Sequence, residues 1–98
     1  VSFGAGGFEI DPVKNATNVE KHGLPLAVGA LVILGDCVEW VDERRDYGEV
    51  RVVAVGPALP QGDKIFSVVY TWRGDRRRLI SVRRASVREL REFRRRDA

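Results

Sequence analysis

The apolar positions of this 98-residue chain fall into three patterns. Phe8-Glu9-Ile10 alternates, as a short edge strand would. Between residues 24 and 34 the chain is apolar on nearly every side, so period alone does not separate a buried helix from a strand. Beyond residue 48 the apolar positions are rich in β-branched residues. Residues 49–56 give the cleanest strand, with Val at 50, 52, 53 and 55. Residues 64–73 and 76–84 form the arms of a hairpin around a two-residue turn, Gly74-Asp75.

Local signals fill the intervals. Asp11-Pro12 opens a helix that should run to about His22. The Asp carboxylate caps free N–H groups, and Pro lacks only a donor that the first helical position does not use. Lys21 and His22 suit the negative end of that helix, and Gly23 is a left-handed stop. Short loops on either side favour a helix for residues 26–34, although Gly29 weakens it. Residues 37–41 read as a short strand and 42–48 as a polar turn. Pro57 and Pro60 are expected to keep residues 57–63 out of any ladder. Ser86 and Glu89 make a capping box for a last helix, which carries Val87, Leu90 and Phe93 on one face. No internal repeat is present. The order predicts an α+β fold with its helices on one sheet face.

The hairpin turn pairs Arg73 with Arg76, Thr71 with Arg78 and Val69 with Ile80. Strand alternation then puts Phe66, Val68, Tyr70, Trp72, Arg77, Leu79, Ser81 and Arg83 on one face. This bulkier face is expected to meet the helices. The opposite face, with Val82 among its members, presents Thr71, Arg73 and Arg78 to solvent, beside Arg51 or its neighbours on the adjacent strand. A one-residue slip or a bulge would reverse this assignment.

Length predicts one domain. A composition of 44% hydrophobic and 32% charged residues excludes global disorder. The 24–34 run is far below the roughly 20 residues that span a bilayer, so no membrane is expected. Residues 1–7 are Gly-rich and lack an initiator Met. They are expected to be a disordered or exogenous terminus ahead of a domain at 8–98, with no signal peptide. One cysteine makes no intrachain disulfide, and one Cys with one His makes no structural zinc site. This fits a reduced, cytoplasmic protein without cofactor or metal.

Charge is segregated. Residues 72–98 hold eleven Arg, four acids and no Lys, a net of +7, while residues 1–71 carry a net of −4. Guanidinium forks match phosphate or carboxylate, so this half fits a polyanion or an acidic protein, or else it is a solvated helix and tail.

The specific residues lie in two ordered blocks. FEIDPVKNATNVEKHG at 8–23 resembles the opening signature of the BrnT toxin family. GEVRVVAVG at 48–56 and YTWRGDRRRLISVRRASVREL at 70–90 resemble its Glu-x-Arg strand and its arginine-rich strand-to-helix passage. The chain departs from that pattern at Ile10, where Trp is usual, and in its apolar 26–30 segment. The resemblance implies a RelE-like antiparallel sheet with two N-terminal helices and a C-terminal helix. It implies a metal-independent endoribonuclease toxin of a type II toxin–antitoxin system, which inhibits translation. It also implies a BrnA-type ribbon-helix-helix antitoxin, with operator DNA met only through that partner. The other reading is a non-catalytic, decayed toxin that acts only as antitoxin partner and co-repressor.

Metal-free RNA cleavage needs a base for the ribose 2′-OH, cations for the phosphoryl oxygens and an acid for the leaving oxygen. His22 is the chain's one imidazole, the group that changes protonation near neutrality. With Arg51, Arg78 and Arg83 as the phosphate clamp, it completes the catalytic set expected from the sequence. Lys21, Arg73 and Arg84 are the expected RNA-binding residues. Tyr70, Trp72 and Trp40 are candidates for stacking on an unpaired base.

Overall fold

The computed structural model describes residues 7–44, 46–58 and 61–97, apart from the side chains of residues 61 and 62. Helix α1 (Pro12–His22) begins and ends where its caps predict. The Val13 N–H donates to Asp11 Oδ1 at 2.9 Å, and Gly23 closes the helix at φ 69°. Helix α2 (Ala27–Leu34) follows, with Leu26, Gly29, Ala30 and Val32 buried. Gly29 stands where α2 presses on the sheet. A Cβ there would lie 2.9 Å from Val68 Cγ1 and 3.0 Å from Val82 Cγ2, so a side chain would push the helix outward.

Five strands make one sheet: β1 (Phe8–Glu9), β2 (Val38–Val41), β3 (Arg51–Ala58), β4 (Gln61–Arg73) and β5 (Arg76–Arg84). Their order is β1-β5-β4-β3-β2, with β1 parallel to β5 and the other pairs antiparallel. Helix α3 (Val87–Asp97) ends the described chain. Its capping box forms as expected, with the Ser86 N–H on Glu89 Oε1 at 2.9 Å and the Glu89 N–H on Ser86 Oγ at 3.2 Å.

Four expectations change. First, the helices occupy both faces. Leu26, Ala30 and Val32 pack with Ala54, Phe66, Val68 and Leu79, while Phe93 of α3 packs with Val53 and Val55, the opposite alternation of β3. Second, the hairpin pairs as expected from Arg73↔Arg76 to Thr71↔Arg78, but a bulge follows, and Val69 meets Ser81 instead of Ile80. Val82 therefore joins the α2 core, and Ser81 and Arg83 move to the α3 side. Third, Thr71 is buried, and its hydroxyl donates to the Val50 carbonyl at 2.7 Å. Fourth, Pro57 sits inside β3 opposite Ile65. β2 pairs with β3 only as far as Val55, so the proline ring interrupts no ladder on that side. Pro60 lies outside the described residues, as do residues 1–6 of the expected disordered terminus. The Gly7 carbonyl accepts from the Arg77 N–H at 3.3 Å. Among the described residues no helix is long and apolar enough to cross a membrane.

One buried side chain ties α1 to the sheet. Asn18 Oδ1 accepts from the Val82 N–H at 3.1 Å, and Asn18 Nδ2 donates to the carbonyls of Val82 and Leu24, both at 2.8 Å. β1 covers only residues 77–78 of β5, so the amide takes the place of a strand partner on the remaining edge. Asn15 Oδ1 accepts from the Leu26 N–H at 2.7 Å and fixes the turn into α2. Asn18→Ala would strand three backbone groups and lower stability by about 3 kcal/mol. Urea unfolding measures this, and a loss below about 1 kcal/mol would show that water replaces the amide.

Candidate active site

The α3 side of the sheet carries an open patch of arginines from neighbouring strands. Arg51 on β3 and Arg78 on β5 both stand opposite Thr71 of β4, and Arg73 pairs with Arg76 at the hairpin end. Carboxylates lie between them. Glu49 contacts Arg51 at 3.3 Å and Arg73 at 3.9 Å. Glu9 contacts Arg76 at 3.5 Å and Arg78 at 3.4 Å, and Asp11 reaches Arg78 at 3.5 Å. The Arg51 guanidinium lies 4.1 Å over the Tyr47 ring. The guanidiniums of Arg51, Arg73, Arg76 and Arg78 are thus held in place and partly neutralised by the chain itself.

This patch runs into a cavity of about 650 Å³ beneath the first turns of α3, whose lining includes Trp40, Asp42, Arg83, Arg88, Glu89 and Arg96. Its floor includes Val53 and Val69, each two residues along the same strand face from Arg51 and Thr71. Arg83 grips Glu89 with two bonds of 2.8 Å, and the Ser67 hydroxyl donates to the same carboxylate at 3.0 Å. Burial pushes the Glu89 carboxyl up, but the Arg83 fork and the Ser86 and Ser67 donors outweigh it and hold the group below its ordinary value. Asp42, on the cavity wall, is held far lower, chiefly by hydrogen bonds from Arg44, with the Tyr47 hydroxyl at 2.9 Å adding to them.

The expected site residues divide into three groups. Arg51, Arg73, Arg78 and Arg83 share one face, and Arg83 is there only because of the bulge. His22 and Lys21 are exposed and line a separate groove of about 250 Å³ at the β5 edge, with Lys14, Thr17 and Ser81. Arg84 points to the α2 side, 6.0 Å over the Phe66 ring. Of the stacking candidates, Trp40 lines the cavity under the Arg96 guanidinium. Trp72 is 46% exposed on the other face, where Arg77 lies 4.5 Å over its ring. Tyr70 is buried and donates to Glu39 at 2.6 Å; burial first, then that bond, pushes its hydroxyl up to about 12.

Sequence reading passed over Glu9 and Glu49 as site groups. Glu49 lies two residues before Arg51 and so shares its side of the chain, a signal that was available. Glu9 reaches the arginines through the parallel β1–β5 pairing, which no local pattern announces. Burial pushes the Cys37 thiol up to about 11, which leaves it a poor nucleophile. Among the described residues, no three His, Cys, Asp or Glu side chains are grouped to hold a metal ion.

Because the folded pKa of Glu89 is depressed, its stabilisation is complete above the ordinary glutamate value of about 4.3. It is lost as pH falls through the lower folded value. Glu89→Gln should cost about 1–2 kcal/mol at pH 7. The gap between the urea midpoints of the parent and Glu89→Gln should close below about pH 4. A gap that stays constant from neutrality to acid would separate Glu89 from the acid response.

Three comparisons with known proteins bear on this site. Residues 10–89 match the family model described as the ribonuclease toxin BrnT of type II toxin–antitoxin systems. The crystal structure of the Brucella abortus ribonuclease toxin BrnT superposes with a TM-score of 0.63 at 26% identity, over 81% of this chain and 95% of that one. No curated protein sequence matches the chain. The family match runs from the residue before Asp11, through the arginine strands, to Glu89, so it contains nearly all of the sheet that carries the patch. The chain belongs to the BrnT family of ribonuclease toxins, within the RelE-like superfamily.

Proposed function

We propose that this toxin cuts RNA without a metal, by attack of a ribose 2′-OH on the adjacent phosphate, which breaks the bond from phosphorus to the 5′-oxygen as that oxygen takes a proton from water. The observation that carries this reading is that Arg51 and Arg78, from the two outer strands of the β3–β4–β5 set, both stand opposite Thr71, on a face that Arg83 shares further along β5. Their guanidiniums supply the positive charge that a phosphorane-like transition state needs. An incoming phosphate displaces Glu9 from its half-exposed ion pairs, which are individually weak, and leaves Glu49 beside Arg51.

Two groups are candidates to accept the 2′-OH proton. His22 stands beyond the β5 edge, while Glu49 stands on the β3 side between Arg51 and Arg73. Adjacent strands are about 4.8 Å apart, so the two groups are separated by two strand spacings or more, and one phosphate does not use both. We assign proton removal to Glu49, which already touches two of the phosphate-binding arginines, and give His22 and Lys21 the binding of a flanking nucleotide. The cognate antitoxin of this type II toxin is, in the same reading, a BrnA-type ribbon-helix-helix protein that covers the arginine face and carries the pair to operator DNA.

The purified chain should cut RNA in EDTA and leave 2′,3′-cyclic phosphate ends. Arg78→Ala and Glu49→Gln should each lower kcat about 100-fold, whereas His22→Ala should mainly raise KM. A kcat that falls in His22→Ala and holds in Glu49→Gln would transfer the role to His22. Intact RNA with tight antitoxin binding would establish the non-catalytic reading, in which the internal ion pairs have silenced the face.

A further inference from the structure

We infer that the outer face of α3 is a second RNA-binding surface, which grips the substrate's backbone beyond the cleft through Arg88, Arg91 and Arg94. The inference rests on the reading of the cleft as an RNA site and extends it. Its basis is how the arginines are engaged. Arg44, Arg51, Arg73, Arg76, Arg78, Arg83, Arg95 and Arg96 each have a carboxylate partner. Arg77 and Arg84 lie over aromatic rings. Among the described arginines, Arg88, Arg91 and Arg94 have neither, and all three are exposed.

Their i, i+3, i+6 spacing puts them on successive turns of α3, at least about 100° round the helix from buried Phe93. From Arg88 to Arg94 the helix rises about 9 Å, a stretch suited to more than one backbone phosphate. Arg88 also lines the cavity that holds Arg83, so positive charge continues from the cleft wall onto the helix. A strand leaving the cleft meets Arg88 first and then Arg91 and Arg94. These guanidiniums have no internal bond to give up, in contrast to those of the sheet face. Their binding to phosphate gains counterion release without the loss of an ion pair.

RNA fits this surface better than an acidic protein does. Val87, expected on the face of Phe93, is instead exposed beside the stripe and Leu90 is half-buried, and these two residues do not make the apolar centre around which protein interfaces are built. Three unpaired forks without an apolar centre fit a phosphate backbone.

The test uses the full chain and an uncleavable 2′-O-methyl RNA of about 12 nucleotides, a length within the usual range of single-strand sites. Binding is measured from low to moderate salt for the parent, for Arg91→Ala/Arg94→Ala and for Arg91→Lys/Arg94→Lys. Removal of two single-strand phosphate contacts should reduce the slope of log K against log salt by about 1.4 and weaken binding about tenfold at 0.1 M salt. The lysine variant should keep most of the slope, since charge is retained. Equal urea midpoints exclude a folding defect. An unchanged slope and affinity in the alanine variant overturns the inference, even if the parent cuts RNA. Loss of antitoxin binding with an unchanged RNA slope also overturns it and gives the face to a protein. Parent binding that carries the extra slope without cleavage leaves this surface standing while the nuclease reading falls.

Discussion

The carboxamide of Asn18 governs the geometry on which the site depends. It bonds both backbone groups of Val82, at the end of the β5 bulge, and the carbonyl that opens the loop to α2. A buried backbone without a partner costs about as much as a lost hydrogen bond, so the edge of β5 needs this amide or a further strand. The same contact fixes the alternation of the last turns of β5. Val82 is directed into the α2 core, and Arg83 emerges beside Ser67 and Glu89. A side chain on the first helix therefore stabilises the strand phase that brings Arg83 to the face of Arg51 and Arg78.

That face balances two electrostatic demands. Crowded guanidiniums repel, and a folded chain that gathers them needs counter-charge. Glu9, Asp11, Glu49 and Glu89 provide it, each from a different local element, and they hold the arginines in defined positions. Exposed pairs such as Arg73–Glu49 are individually weak, whereas the bidentate Arg83–Glu89 pair is anchored by Ser67 and the α3 cap. The patch is thus graded, with weak pairs at its open end and a fixed one under α3.

The apolar α2 shows the limit of periodicity. Its sequence is hydrophobic all round, yet Leu31 and Leu34 are exposed while Val32 and Ala30 are buried. Gly29, which reads as a weakness in a helix, is the point of closest approach to Val68 and Val82. The propensity cost of a helical glycine is offset by tighter packing across the sheet. Likewise Pro57, a strand breaker by rule, is tolerated where β3 has lost its β2 neighbour.

Short-range chemistry was written into the residues themselves. The Asp11 cap, the Gly23 stop, the Ser86–Glu89 box and the Gly74 turn each involve groups a few residues apart, and each formed where its spacing required. The family signature was legible for the same reason, since its motifs are contiguous runs of sequence. Partnerships across the chain were not legible. The bulge that carried Arg83 to the arginine face, the second face taken by α3, the placing of Glu9 among the arginines and the distance of His22 from them all turn on strand phase and edge pairing. Alternation repeats every two residues, so one extra residue in β5 reverses every side chain after it. That insertion is settled by packing against Asn18, Val68 and α2, which only the folded chain brings together.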